Sequence, residues 1–168
     1  MFEMKSPLEL TDNFFSCIGK DWMLVTAGDR EHLNTMTAAW GGIGVLWNKN
    51  VATIFVRPQR YTFEFLEKYP KFTLSFFDEK YRKQLALCGA KSGRDIDKVK
   101  ECGFTAADET VPYFNEARLV LVCRKLYTQD LNPEHFLDPA LSEFYEAKDY
   151  HRMYIAEIET ALVKQKNS

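Results

Sequence analysis

Short runs of apolar residues, rich in Val, Ile, Thr and aromatic side chains, recur along the chain between Gly, Asp, Asn and Pro residues. Runs of this composition, bounded by turn-forming residues, predict strands. Six are present, at positions 22–27, 33–40, 51–57, 71–77, 117–127 and 151–163. Antiparallel strands in this number close most easily into a small barrel, because closure removes exposed edges. The pattern therefore predicts a mainly β barrel with short helices.

Helical patterns are shorter and lie between the strands. They cover 63–69 behind Thr62, 79–88, and 94–102, where Gly103 ends the last helix. Positions 129–149 carry two prolines and form a long excursion, which we expect to be a lid or a dimer arm. A doubly wound α/β sheet is the alternative, but it needs long crossover helices, and none fits between positions 22 and 57.

Length, composition and charge narrow the class of protein. A chain of 168 residues with 46% hydrophobic and 27% charged residues predicts one globular domain over residues 1–168. The formal net charge is −2, so no overall basic field attracts nucleic acid or an anionic membrane, and an anion site has to be local. The beginning of the chain lacks a secretory pattern, and no apolar run is long enough to span a membrane. We expect a soluble, cytoplasmic protein.

The cysteines and aromatic residues add two expectations. Cys17, Cys88, Cys102 and Cys123 form no CxxC pair and no metal-binding spacing, so we expect reduced, buried thiols, no metal site and no part for the thiols in electron transfer. Aromatic residues make up 14% of the chain, which is typical of sheet surfaces, of a site for a flat ligand or of a subunit interface. A homodimer would cover the surplus apolar surface.

Nucleotide-binding and hydrolase fingerprints are missing, since the chain contains no GxGxxG, GxxxxGK[ST], HExxH or GxSxG. The segment Arg57-Pro58-Gln59-Arg60-Tyr61-Thr62 is one remaining candidate. Two guanidinium groups three residues apart, next to a helix N-terminus, can bind a terminal phosphate. The alternative is a pair of solvated surface arginines with Thr62 as an ordinary helix cap.

Two further segments carry candidate chemistry. The segment Lys91-Ser92-Gly93-Arg94-Asp95 combines two cations with a capping-box pattern, and it is either an anion loop or simply a capped helix start. The segment at 34–44, which begins on the strand predicted at 33–40, offers small and hydroxylated residues with Trp40 beside them. Such a strand lets a planar polar ring approach the backbone, although a strand ending in a glycine bulge with a core Trp40 explains it equally well.

The four segments NTMTAAWGGIG, RPQRYT, KSGRDIDK and DYHRMYIAEI, in this order, resemble the flavin reductase-like family of FMN-binding split barrels. This family includes flavoredoxins and NAD(P)H-dependent flavin reductases. The resemblance extends from about residue 22 to about residue 163. It implies a six-stranded antiparallel Greek-key split barrel, a homodimer, and one FMN per subunit near the dimer interface.

The resemblance also assigns site residues, motif by motif. Those expected to line the isoalloxazine ring and the ribityl chain are Asn34, Thr35, Met36, Thr37, Ala38 and Trp40. Those expected at the phosphate are Arg57, Arg60 and Thr62, with Lys91, Ser92 and Gly93 closing over the phosphate or ribityl end. His151 is a weaker candidate for the flavin edge, and Ala156 stands where the family pattern has Gly, which would change the room beside the ring.

The function implied is that of an FMN-binding oxidoreductase, with NADH or NADPH as the reductant that passes hydride to flavin N5. Such a step requires alignment rather than a protein nucleophile, which agrees with the lack of a catalytic triad. Two alternatives stay open. One is a flavoredoxin-type electron carrier reduced by another protein, and the other is a non-catalytic FMN-binding protein. The sequence leaves the nicotinamide preference, the tightness of FMN binding and the electron acceptor undecided.

Overall fold

The computed structural model describes residues 1–165, so the last three residues of the expected domain lie outside the described part. One antiparallel sheet of eight strands dominates it. The strands are β1 Phe2–Lys5, β2 Met23–Gly28, β3 Leu33–Ala38, β4 Gly41–Leu46, β5 Lys49–Val56, β6 Lys71–Phe76, β7 Leu119–Asp130 and β8 Arg152–Lys164. Their order in the sheet is β3-β2-β6-β7-β8-β5-β4, and β1 pairs with β8.

The six strands predicted from the sequence are confirmed within a few residues, but the number six is wrong, because β1 and β4 were not predicted. Strand β4 contains Gly41, Gly42 and Gly44, which have low strand propensity and hid it in the pattern. A two-residue turn joins β4 to β5, and both its residues, Trp47 and Asn48, have positive φ values of 53° and 57°.

The sheet wraps around one core because β8 is shared by several partners. It pairs with β7 along its whole length, while its other edge pairs first with β5 and then with β1. Buried side chains from six strands, Val25, Met36, Ile54, Leu74, Leu121 and Ile158 among them, meet in the interior. Every strand pairing is antiparallel, so the mainly β expectation is confirmed and the doubly wound alternative is wrong.

Four short α-helices accompany the sheet: α1 Phe14–Gly19, α2 Tyr61–Lys68, α3 Arg82–Ala90 and α4 Lys98–Cys102. The first was not predicted. The expected capping box is wrong, because Asp97 rather than Ser92 caps α4 by accepting a 3.1 Å hydrogen bond from the Lys100 amide. Thr62 is likewise no cap, since it lies inside α2 and is buried. Gly103 ends α4 with a φ of 65°, as expected.

The excursion predicted at 129–149 lies at residues 131–150, because β7 continues to Asp130. We call this segment between β7 and β8 the strap. It contains two 3-10 helices, Pro133–His135 and Pro139–Tyr145, each with a proline at its start. A second apolar cluster lies on the outer face of the sheet, under α3 and α4, and includes Leu24, Leu85 and Phe114. In residues 1–165 no helix is both long enough and apolar enough to cross a membrane.

Candidate functional site

Strand β3 presents most of the residues expected to face a flat ligand. The side chain of Thr35 turns to the neighbouring strand, where its Oγ1 lies 2.9 Å from Thr26 Oγ1. Met36 and Ala38 are buried at the edge of the core. Asn34 is buried as well, and its Nδ2 donates a 2.8 Å hydrogen bond to Thr62 Oγ1, which fixes β3 to α2.

Helix α3 is held by three side chains from other parts of the protein, two of which bind its last turn. Thr37 Oγ1 donates to the Leu85 carbonyl at 2.5 Å, and both terminal nitrogens of Arg60 donate to the Gly89 carbonyl at 3.0 Å. Lys98 Nζ donates to the Cys88 carbonyl at 2.8 Å. Two of these groups are cations at the negative end of the helix, an arrangement that lowers the free energy of the folded chain.

A cleft of about 240 Å³ brings together the main candidates from all the predicted segments except Lys91–Asp95. Its lining residues are Met36, Thr37, Ala38, Ala39, Trp40, Phe55, Arg57, Arg60 and His151. The cleft has an apolar wall from β3, Trp40 and β5 and carries two guanidinium groups. Burial and the nearby charge of Arg57 lower the pKa of Arg60, which still remains a cation at neutral pH.

Trp40 follows β3 at the corner that leads into β4, and its ring is about half exposed. Its centroid lies 5.3 Å from that of His151 and 5.4 Å from that of Phe144, a strap residue. The corner depends on Gly41, which has a φ of 154°, and a Cβ there would lie 2.7 Å from the Thr53 carbonyl oxygen. Trp40 is thus a wall of the cleft and not a core residue.

Arg57 contacts the strap in this structure. Its Nη1 lies 2.5 Å from Asp149 Oδ2, its Nη2 donates a 2.8 Å hydrogen bond to the Phe144 carbonyl, and its guanidinium is 5.1 Å from the Tyr145 ring centre. Hydrogen bonds from Gln59 and Arg57 lower the pKa of Asp149, so this carboxylate is charged at neutral pH. The sequence placed Arg57 at a phosphate and gave no indication of Asp149 as its partner.

His151 is buried and neutral. Its Nδ1 lies 2.8 Å from the hydroxyl of Tyr145. Burial, followed by the charge of Arg57, lowers the pKa of His151 to about 4. When Tyr145 donates to Nδ1, the Nε2 atom carries the proton of the neutral ring, so His151 keeps one hydrogen-bond donor of its own.

A second cleft of about 500 Å³ lies beside β3, and it is lined by Asn34, Thr35, Tyr61, Gly93, Arg94 and Lys98, among others. Gly93 approaches β3 closely, because a Cβ at this position would lie 1.9 Å from Asn34 Oδ1. Lys91 and Ser92 line neither cleft, and Lys91 is exposed. The structure therefore brings Gly93 to the candidate strand but leaves the other two residues of this motif outside both clefts.

Lys98 is a buried cation that sequence reasoning missed. Burial lowers its pKa to about 8, and its ammonium group donates to the carbonyls of Thr35 and Cys88, both at 2.8 Å. Only its position near the start of a short helix is visible in the sequence, and lysines there are ordinarily solvated. Its contacts cross between β3 and α3, which no local pattern indicates.

The four cysteines are free and buried. Burial raises the pKa of each thiol, to about 12 for Cys88, so the reactive thiolate form is scarce at neutral pH. The fold brings Cys88 Sγ and Cys102 Sγ to 3.5 Å, although they are 14 positions apart. Across residues 1–165 no cluster of three or more His, Cys, Asp or Glu side chains could hold a metal ion.

Ala156, where the family pattern has Gly, is fully buried between β5 and β7 and pairs with Ala52. It does not line the 240 Å³ cleft, and its effect on the room beside a bound ring stays a prediction. The side chains that do line the cleft suit a flavin phosphate. Met36, Ala38 and Trp40 supply an apolar wall for a planar ring, while Arg57 and Arg60 are matched to an anionic group.

A family model described as flavin reductase like domain matches residues 15–168. The chain therefore belongs to the flavin reductase-like family. No curated protein matches it.

Several solved structures have the same fold. A flavoredoxin from Methanosarcina acetivorans is 22% identical with a TM-score of 0.68, over 86% of this chain and 69% of that chain. An FMN-binding domain of a flavin reductase-like enzyme from Shewanella baltica is 18% identical with a TM-score of 0.70, over 97% and 77% of the two chains. An NADH:FAD oxidoreductase from Streptomyces globisporus, in complex with NAD and FAD fragments, is 17% identical with a TM-score of 0.63, over 86% and 74%. A further match, from Shewanella frigidimarina and described as having a split barrel domain, is 19% identical with a TM-score of 0.67, over 91% and 72% of the two chains, and it confirms the split-barrel fold.

Proposed function

We propose that this protein is an FMN-binding oxidoreductase that reduces flavin with NADH or NADPH. The observation that carries the proposal is the 240 Å³ cleft, where an apolar wall and two guanidinium groups converge. A flavin phosphate has a planar ring at one end and a dianion at the other, and the cleft offers a suitable surface for each. The family membership of the chain agrees with this chemistry.

In this proposal Arg57 and Arg60 bind the phosphate, with Thr62 behind them. Lys91, Ser92 and Gly93 close over the phosphate or ribityl end, which requires the exposed Lys91 and the half-buried Ser92 to approach the ligand. Trp40 covers the ring, and the remaining residues proposed to line it are Asn34, Thr35, Met36, Thr37 and Ala38, with Asn34 and Thr35 acting through the backbone of β3. When bound, FMN supplies the ability to accept and pass on hydride.

The residues of this chain bind and orient the reactants. The apolar side chains of the cleft keep water away from the ring, which strengthens the electrostatic contacts of the phosphate with the two arginines. His151 is neutral and offers a donor rather than a charge. Burial raises the pKa of the cysteine thiols and makes them poor nucleophiles, so the proposal assigns them no part in turnover.

We further propose a cytoplasmic homodimer formed from one domain that spans residues 1–168. Strand β4 lies at an edge of the sheet, and several large apolar side chains near it are exposed: Phe15 by 95%, Val45 by 73% and Trp47 by 55%. An open cleft of about 660 Å³ beside β4 is lined by Phe14, Ile18, Trp40 and Ile43. Apolar surface next to an open sheet edge favours self-association.

The experiment that tests the proposed function is an anaerobic absorption spectrum. The protein is reconstituted with FMN, freed of excess ligand and mixed with NADH or NADPH. Rapid bleaching of the visible flavin absorption band is the expected result, and the nucleotide that bleaches it faster is identified as the reductant. Bleaching by dithionite alone would indicate an electron carrier or a binding protein, and electron transfer from a reduced partner protein would separate these two. Failure to retain any flavin would contradict the proposal.

A further inference from the structure

The strap is fastened to the body of the protein at Arg57. Asp149 Oδ2 receives two donors, Arg57 Nη1 and Gln59 Nε2, each at 2.5 Å. The Phe144 carbonyl accepts a 2.8 Å hydrogen bond from Arg57 Nη2. These contacts link the strap to the loop between β5 and α2, the same loop that carries the proposed phosphate clamp.

The contact at Asp149 is incomplete. Its second oxygen, Oδ1, is buried and finds no hydrogen-bond donor among the residues that the structure describes. A buried carboxylate oxygen without a hydrogen-bond donor costs free energy. Only one of the two carboxylate oxygens of Asp149 is therefore satisfied in this position. The strap is therefore held by a contact that a better anion can replace.

A phosphate monoester is such an anion, because it carries nearly two negative charges near neutral pH and three acceptor oxygens. Asp149 and a phosphate at Arg57 would repel each other if both stayed there, since like charges at close range are unfavourable. Arg57 lies close enough to Arg60 that its positive charge helps to lower the pKa of Arg60. The two guanidinium groups therefore form one electropositive region. The single carboxylate of Asp149 balances only one of these two positive charges.

We propose that Asp149 is a specificity-determining residue, whose carboxylate competes with the ligand's phosphate for Arg57. This inference rests on the proposed function. Phosphate binding displaces Asp149 and releases the strap, while a flavin without phosphate leaves the strap fastened. The strap residue Phe144 packs against Trp40. Together with two other strap residues, Leu141 and Tyr145, Phe144 lines an apolar cleft of about 370 Å³. Release therefore also opens the cleft on the Trp40 side.

Flavin titrations of the full chain test the competition. Asp149→Asn keeps the shape of the side chain but removes its charge, and the matched control is Glu146→Gln, because Glu146 is an exposed strap residue with no recorded side-chain contact among the described residues. Asp149→Asn is expected to tighten FMN binding by about threefold to tenfold, the range of a partly exposed ion pair, with riboflavin affinity unchanged. Glu146→Gln should change neither. Equal or weaker FMN binding by Asp149→Asn would overturn the proposal.

Hydrogen–deuterium exchange of the strap peptides provides a readout besides affinity. FMN is expected to speed exchange in residues 131–150, riboflavin is not, and ligand-free Asp149→Asn should exchange faster than both the wild type and Glu146→Gln. Protection of the strap by FMN would overturn the proposal. If the protein bound no flavin at all, the proposed function would fail. The competition between phosphate and Asp149 would then still be tested with inorganic phosphate. Faster strap exchange with phosphate than with chloride at equal ionic strength supports the competition, and equal exchange refutes it.

Discussion

Lys98 donates a 2.8 Å hydrogen bond to the carbonyl oxygen of Thr35, and this contact ties helix α4 to the strand that forms the wall of the candidate site. The same ammonium group holds the Cys88 carbonyl near the end of α3. One buried cation therefore positions three elements around the cleft. Positioning groups of this kind keep a binding strand in place without touching the ligand themselves.

We expect Lys98→Met to destabilise the fold. Methionine keeps the length of the side chain but leaves the carbonyls of Thr35 and Cys88 without their donor, and an unsatisfied buried acceptor costs about 1–3 kcal/mol. Urea unfolding at neutral pH measures the loss. Lys100→Met is the control, because Lys100 lies on the same short helix and its side chain is exposed. Equal stability of Lys98→Met and the wild type would show that the buried contacts contribute nothing.

The Lys98 contact also predicts a pH dependence. The folded chain lowers the pKa of Lys98 from 10.5 to about 8, so the unfolded chain binds this proton more tightly. The free energy of unfolding of the wild type should therefore rise, relative to Lys98→Met, as the pH increases from about 8 to about 10.5. Parallel urea titrations across this window give the difference. If the free energy of unfolding of the wild type instead fell relative to Lys98→Met with rising pH, the folded chain would not disfavour the charged form of Lys98.

Gly93→Ala is expected to weaken FMN binding and to reduce stability. The new methyl group would lie 1.9 Å from Asn34 Oδ1 and 3.1 Å from a Tyr61 ring carbon, so the loop has to move away from β3. That movement strains the hydrogen bond between Asn34 and Thr62. Gly44→Ala is the matched control, because a Cβ on Gly44 meets nothing within 4 Å. FMN fluorescence titrations compare the two variants, and an unaffected Gly93→Ala would place the loop outside the site.

His151 should remain neutral down to about pH 5. Its pKa is lowered to about 4 by burial and by the charge of Arg57, so the unfolded chain binds the proton more tightly between pH 4 and 6.5. The free energy of unfolding then falls as the pH drops through this range, and His151→Gln should reduce the fall. NMR titration of the imidazole measures the pKa directly. Arg57→Ala should move it upward, and a wild-type value near 6.5 would contradict the described environment.

A homodimer is expected to give a light-scattering mass of twice the 19.6 kDa of the chain at micromolar concentration. Val45→Glu places a charge on the exposed face of β4 and should shift the mass toward the monomer. Met4→Glu is the control, because Met4 is 72% exposed on β1, away from β4 in the sheet. A monomer mass for the wild type would refute the dimer.

Residue patterns predicted the six longer or more regular strands, because Val, Ile, Thr and aromatic residues mark them clearly. They failed for β4, where Gly41, Gly42 and Gly44 remove the side chains that give a strand its pattern. They also failed for β1, which has only four residues and is defined by its pairing with β8. Partner strands far along the chain decide such elements, and one segment contains no information about its partner.

The convergence of several candidate residues at one cleft was easier to predict from the sequence than the contacts they make there. Arg57, Arg60, Trp40 and His151 do meet at one cleft. Their hydrogen bonds to Gly89 and Phe144, and the ion pair of Arg57 with Asp149, depend on how distant loops pack against each other. Lys98 was missed for the same reason, since a buried lysine looks like any other lysine in the sequence.

The central claim is that Arg57 and Arg60 hold the phosphate of FMN, and the direct measurement is a fluorescence titration of the apoprotein with FMN and with riboflavin. Either Arg→Ala variant should weaken FMN binding by about one to two powers of ten, the worth of a charge-assisted hydrogen bond of about 1.5–3 kcal/mol. Riboflavin affinity should stay nearly unchanged, and Arg→Lys should recover only part of the loss, because lysine lacks the planar two-pronged donor.

Arg30→Ala is the control in this titration, because Arg30 makes an exposed ion pair and a surface hydrogen bond to Asp108, away from the cleft. The account predicts a selective loss for FMN in the Arg57 and Arg60 variants and none for Arg30→Ala. Equal weakening for both ligands, or unchanged FMN affinity in both variants, would contradict it.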